Sequence, residues 1–342
     1  MKKNIGPLAA LALMAGVFAG GRADAQVIEL KFADQLPPTH VASRAGNLVF
    51  MKMVEEATKG RVKFVHYPAQ QLAKAAGMLD AVRNRVADIA MVGVVYVSDR
   101  MPLTGATELP GLFDTVVEGQ AAFEKLARND LMPYFTGANL RPLWTMTTPP
   151  YQLLFVRDKP IADISELKGM KLRTAGATSQ LVAQSLGAVP VNISPADTYL
   201  ALERGTVEGS IYTLSVMSAY KLEEVTKSYT TNAQLGTVAF LVFINEDVWK
   251  SLPADIQQTM AEIGQKVGVS LAQEIQKAED ATIEKLRSSG KQVYALPDAV
   301  KKQFSERLAT VQAKWVEQMK ERNLPGDRVL ASFKKYLSEK PR

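Results

Sequence analysis

One arginine stands out for the chemistry its position allows. Arg173 closes the run Lys171-Leu172-Arg173, which reads as a strand, and the small-residue turn Thr174-Ala175-Gly176-Ala177-Thr178 follows it. Ligands of parallel α/β sheets gather outside the carboxyl ends of strands, so a guanidinium there can point into a cleft. Its planar fork matches a carboxylate in two parallel hydrogen bonds, which fixes orientation as well as charge. The residues alone leave a second reading open, an ordinary surface ion pair.

Little else in the chain could do covalent or metal chemistry. There are no cysteines and 2 histidines, which removes disulfides, thiolate metal sites and thiol nucleophiles. His40 follows Pro37-Pro38-Thr39 and can line a cleft or start a helix, the second being favoured; His66 falls in a strand and reads as structural. The carboxylate pairs Glu55-Glu56, Glu223-Glu224 and Glu279-Asp280 lie in helical patterns beside lysines. There they read as solvated surface and not as an acid and base pair. Phosphate-loop, dinucleotide, zinc-protease and hydrolase signatures are missing from the sequence. We therefore expect no catalytic residues, no metal and no cofactor.

The elements that would position Arg173 belong to a chain of 342 residues, 47% of them hydrophobic. At about 100–200 residues per domain that is two or three domains with real cores. The formal net charge of +6 is a mild surplus spread along the chain, without the basic cluster a nucleic-acid groove needs. Lys2 and Lys3 precede an unbroken run of 12 apolar or glycine residues (8–19), and Ala23-Asp24-Ala25 is a small-x-small site before Gln26. This is the pattern of a secretory leader over residues 1–25, cleaved after Ala25, and it implies a periplasmic product. No later run is apolar and long enough to cross a bilayer.

From Gln26 onward, strand and helix patterns alternate. Ile28, Leu30 and Phe32 form one face of a strand, residues 41–59 read as a helix stopped at Gly60, 62–67 as a strand, and Asp88 to Gly93 as a buried strand. A second block repeats the scheme: strands at 151–156, 170–174 and 189–193, a helix at 179–186, and another at 195–204 capped by Ser194 and stopped by Gly205. Repetition of strand, helix, strand argues α/β with largely parallel sheets, and two such blocks argue two lobes with a cleft between them. Residues 253–289 then carry Ile256, Met260, Ile263, Val267, Leu271 and Ile275 at helical spacing. A helix of that length would cross both lobes, with Gly264 and Gly268 as places where it could bend. Helices at 300–322 and 328–339 complete the chain.

Several segments resemble one family in order and spacing. Asp163-Ile164-Ser165-Glu166-Leu167-Lys168-Gly169-Met170-Lys171-Leu172-Arg173 and the block from Ala196 through Tyr199, Ala201, Leu202, Gly205 and Val207 to Gly209 are similar to segments of the solute-binding proteins of TRAP (tripartite ATP-independent periplasmic) transporters, the DctP family. Tyr67-Pro68-Ala69-Gln70-Gln71-Leu72, Glu108-Leu109-Pro110-Gly111-Leu112-Phe113 and Phe243-Ile244-Asn245 resemble others. The resemblance implies a periplasmic-binding-protein type II-like fold, with lobe I formed by residues 26–149 and about 238–275, and lobe II by 150–237 and about 276–342. It implies a receptor that captures an organic anion and hands it to the small and large membrane subunits of a permease. It places Arg173 at the family's carboxylate-binding arginine, and Gln35 and Gly93 at positions lining the opposite wall.

Two departures carry information. Sialic-acid-type members have a second arginine where this chain has Leu153, and an asparagine where it has Tyr212. The pocket is therefore expected to be drier, lined by Tyr151, Leu153, Tyr212 and Phe240, and suited to a small monocarboxylate with an apolar or aromatic body. The rival readings are a binding protein of an ATP-driven importer, and a cleft enzyme acting on organic acids.

Overall fold

The computed structural model describes residues 27–339; the expected leader and its Ala25 cleavage site lie outside them. Eleven strands follow in chain order: β1 (Ile28–Ala33), β2 (Val62–Tyr67), β3 (Ile89–Gly93), β4 (Leu140–Thr147), β5 (Gln152–Phe155), β6 (Lys171–Thr174), β7 (Val189–Asn192), β8 (Gly209–Tyr212), β9 (Ser228–Thr230), β10 (Ala239–Asn245) and β11 (Gln292–Tyr294). They form two sheets, ordered β2-β1-β3-β10-β4 and β11-β9-β5-β8-β6-β7. Each sheet carries helices and is the centre of one lobe. In the first, Trp144 packs against Phe50, with ring centroids 4.4 Å apart, and against Phe32.

Each sheet is largely parallel, as expected, with one strand running against the rest: β10 among the five strands of the first and β5 among the six of the second. β1 runs parallel to β2 and β3, but β10 lies antiparallel between β3 and β4. In the second sheet β5 is antiparallel to both β8 and β9. The reason is the route of the chain. It leaves the first sheet after β4, builds most of the second, and returns as β10 in the opposite direction. The two crossings pair with each other: Tyr151 N–H donates to Gly236 O (2.7 Å), Leu235 N–H to Tyr151 O (3.0 Å) and Thr148 N–H to Val238 O (2.9 Å). A short two-stranded strap thus joins the lobes.

The helix Ala254–Ser288 is continuous over 35 residues with the expected apolar stripe buried. At 1.5 Å per residue it is about 52 Å long, and it packs on β4, on the helix Leu48–Ala57 and on the turn Leu214–Val216, so it touches both lobes. Gly264 and Gly268 do not break it. A Cβ at Gly264 would collide with Leu143 O, and one at Gly268 would lie 3.1 Å from Gln120 Nε2. Those glycines let helix and strand approach closely.

Three further expectations shift. The helix read at 195–204 begins at Thr198, because Ser194 caps a preceding turn through Asp197 N–H. The helix read at 41–59 opens with a wide π turn, Ser43–Asn47, before Leu48–Ala57. The last helix, Gly326–Ser338, does not stay with the second lobe: it packs on the helix Val116–Asn129. Ser332 Oγ and Tyr336 Oη both donate to the Asp130 carboxylate, at 2.7 and 2.9 Å, and Phe333 meets Phe113 edge to face.

Candidate ligand-binding cleft

β6 ends at the interface between the lobes, and this places Arg173 in the cleft. The side chain is 1% exposed. Its Nε donates to Ile193 O at 2.9 Å and its Nη1 to Ile211 O at 3.5 Å, while Cζ lies 4.6 Å from the ring centroid of Tyr212. Among the described residues Nη2 has no partner, and no carboxylate forms an ion pair with Arg173. Burying an unpaired charge is expensive, by several kcal/mol in a typical interior. Carbonyl dipoles and a π face offset part of that cost, and the free edge of the guanidinium remains available to an anion.

Around it stand Tyr96, Tyr151, Tyr212 and Tyr220, with Met146, Val238 and Phe240, enclosing a cavity of about 80 Å³. Tyr151 and Tyr212 are nearly parallel, 6.3 Å between centroids, and Tyr220 meets Tyr212 edge to face. Burial pushes all four phenols up and outweighs the pull of the nearby Arg173 charge. Their hydroxyls therefore stay protonated and can donate.

The opposite wall comes from the first sheet. Gln35 follows β1, is 6% exposed, and has an unpartnered Oε1. Gly93 ends β3, where a Cβ would lie 3.0 Å from Gln35 Nε2, 3.0 Å from Tyr96 and 3.2 Å from Phe240. The glycine keeps that wall open and contributes no side chain of its own. His40 does both things the sequence allowed. Its Nδ1 accepts the Ala42 N–H at 3.1 Å at the helix start, and the ring lines the cleft. Burial lowers its pKa to about 4 against the opposing pull of Asp34, so the imidazole is neutral.

Leu153 departs from expectation. It is fully buried and absent from the cavity lining. In the β5–β8 register Leu153 pairs with Ile211 while Gln152 pairs with Tyr212. Alternation along a strand therefore turns Leu153 to the face opposite Tyr212, into the core. The dry character of the cleft is carried by the tyrosines instead. Tyr96 and Tyr220 escaped the sequence reading, although Tyr96 sits three residues beyond Gly93 at a carboxyl strand end, the same signal that picked out Arg173.

Glu279, read from sequence as solvated surface, is 6% exposed. From the long helix it accepts the Thr213 hydroxyl at 3.3 Å and the N–H groups of Ser215 and Leu214, holding the turn that follows Tyr212. Burial outweighs these bonds and raises its pKa from 4.5 to about 7. Between those values the folded chain keeps the proton that the unfolded chain has lost, so this group's contribution falls as pH rises from about 4.5 to about 7. Glu279→Gln is expected to match the parent near pH 4.5 and to exceed it at pH 8 by on the order of 3 kcal/mol in urea unfolding. Parallel pH profiles for the two proteins would refute the assignment.

Two α/β lobes, a paired strap between them and a buried arginine in the cleft define a solute-binding protein of the periplasmic type II class. The sequence model described as bacterial extracellular solute-binding protein, family 7 (DctP) matches residues 32–319, and the chain belongs to that family. It is 25% identical over 299 residues, 86% of this chain and 89% of the relative, to the 2,3-diketo-L-gulonate-binding periplasmic protein YiaO of Escherichia coli (strain K12). Among solved structures, a TRAP solute-binding protein from Rhodoferax ferrireducens T118, in complex with copurified benzoate, superposes with TM-score 0.82 at 24% identity, covering 91% of this chain and 98% of that one. A marine metagenome TRAP solute-binding protein specific for aromatic acid ligands, from an unidentified microbe, gives TM-score 0.84 at 22% identity, covering 92% and 98%. The relatives are transport receptors and not enzymes, and the chain is a TRAP-type solute-binding receptor.

Proposed function

We propose that this receptor captures a small monocarboxylate with an apolar or aromatic body, bound by Arg173, and delivers it to the small and large membrane subunits of a TRAP permease. The leader would direct export and be removed after Ala25. The observation that carries the reading is the unpartnered Nη2 of Arg173 inside a tyrosine-lined cavity of about 80 Å³. The cavity volume favours a compact ligand. Among the described residues Arg173 is the one lysine or arginine lining it, which favours one carboxylate over two. A charge-assisted bond contributes about 1.5–3 kcal/mol and apolar burial about 25 cal/mol per Å², so tight capture draws on both. The solved relatives with benzoate and 3-hydroxybenzoate agree with this class.

Thermal unfolding against benzoate, mandelate, phenylpyruvate, succinate and a sugar acid tests it. A ligand at 100 times its Kd stabilises the folded state by about 2.7 kcal/mol. The aromatic monocarboxylates are expected to shift the transition and the sugar acid is not. Stabilisation by the sugar acid alone would overturn the proposal.

A further inference from the structure

We propose that Gln35 and His40 together read a second, uncharged oxygen on the ligand, so that the receptor prefers hydroxylated acids to both their unsubstituted parents and their dicarboxylate counterparts. The inference rests on the carboxylate reading of the cleft and adds what the far wall recognises.

Gln35 is buried and its amide makes no hydrogen bond among the described residues, with Oε1 wholly enclosed. An enclosed polar group left unmade costs about 1–3 kcal/mol, and the amide could be offset by a partner in the cavity it lines. His40 supplies the complementary half. Since Nδ1 accepts the Ala42 N–H and burial keeps the ring neutral, the remaining proton must sit on Nε2. Nε2 has no partner among the described residues, so it is a donor left for the cleft.

The two groups differ in what they ask of a ligand. The amide offers a donor and an acceptor, the imidazole a donor. A hydroxyl, which both donates and accepts, answers all of them. A methyl or ring C–H answers none. A second carboxylate would meet no second cation among the described residues, where Arg173 is the one lysine or arginine in the lining, and it would set a charge against the Gln35 oxygen. Gly93 holds the arrangement open: a Cβ there would press on Gln35 Nε2, Tyr96 and Phe240 at once.

Isothermal titration at pH 7.5 with benzoate, 3-hydroxybenzoate, 4-hydroxybenzoate, isophthalate and terephthalate tests the inference. At least one hydroxybenzoate is expected to bind ten times more tightly than benzoate, and both dicarboxylates more weakly than benzoate. In Gln35→Leu and in His40→Phe, each checked for native circular dichroism, the hydroxybenzoate-to-benzoate affinity ratio is expected to fall toward one. Benzoate binding with no hydroxyl advantage, a dicarboxylate that outbinds every monocarboxylate, or a ratio unchanged in both variants overturns this inference alone. Failure of all five acids to bind overturns the carboxylate reading and this inference with it.

Discussion

Arg173→Lys is expected to weaken binding of the cognate acid about 100-fold while the unfolding midpoint of the unliganded protein changes little. The guanidinium divides its work: Nε and Nη1 are spent on Ile193 O and Ile211 O, its face rests on Tyr212, and Nη2 is free. An ammonium has no plane to lay on the tyrosine. It also cannot hold the carbonyls of Ile193, just past β7, and Ile211, in β8, while offering a second edge to a carboxylate. Losing one or two charge-assisted bonds, at about 1.5–3 kcal/mol each, corresponds to about 3 kcal/mol or 100-fold in Kd. The fold is spared because Arg173 makes no ion pair that the core depends on. Titration calorimetry with the acid identified by thermal shift gives the answer. Equal Kd values for the two proteins would remove Arg173 from the site.

The second large effect is one of stability. Asp34→Ala is expected to cost about 3–5 kcal/mol, read as a lower urea midpoint at unchanged slope. Asp34 is fully buried at the end of β1. Its carboxyl oxygens accept the Leu36 N–H at 2.8 Å, the Ser43 hydroxyl at 2.6 Å and the Asn47 amide at 2.8 Å, with His66 Nε2 3.5 Å away. Alanine would leave those donors enclosed without an acceptor, and each orphan costs about 1–3 kcal/mol. The same network sets the turn that carries Gln35 and the wide helical turn after His40. Ligand affinity is therefore expected to fall along with stability. A loss below about 1 kcal/mol would mean that the network is not the anchor of this wall.

Much of the scaffold was legible because it is written locally. Ile28, Leu30 and Phe32 alternate, the stripe from Ile256 to Ile275 repeats every three or four residues, and Gly187 and Gly205 stop helices. Such patterns depend on a handful of neighbours. The wide turn at Ser43–Asn47 was not legible: it answers to Asp34, nine residues before Ser43, across a chain reversal at Pro37-Pro38. Nor was the insertion of β10 between β3 and β4. The run Ala239–Asn245 is apolar throughout, and nothing in it states which strands it will separate or in which direction it runs.

The site divides along the same line. Arg173 could be named from a strand pattern and a small-residue turn, since the ligand edge of an α/β sheet is a property of strand direction. Leu153 was misplaced because a strand's facing depends on register with a distant partner: Ile211, not Tyr212, stands opposite it. Glu279 looked solvated from its neighbours and is buried by a turn more than sixty residues away.

By itself the sequence determined the periodic elements, the lack of cysteines and the arginine at a strand end. The tertiary structure alone decided which of these lose their water. Burial makes His40 neutral, keeps the tyrosines protonated, and leaves the Gln35 amide and one edge of Arg173 lining the same cavity without partners among the described residues. Desolvation is set by the atoms that arrive from elsewhere in the chain, and no local pattern of residues records them.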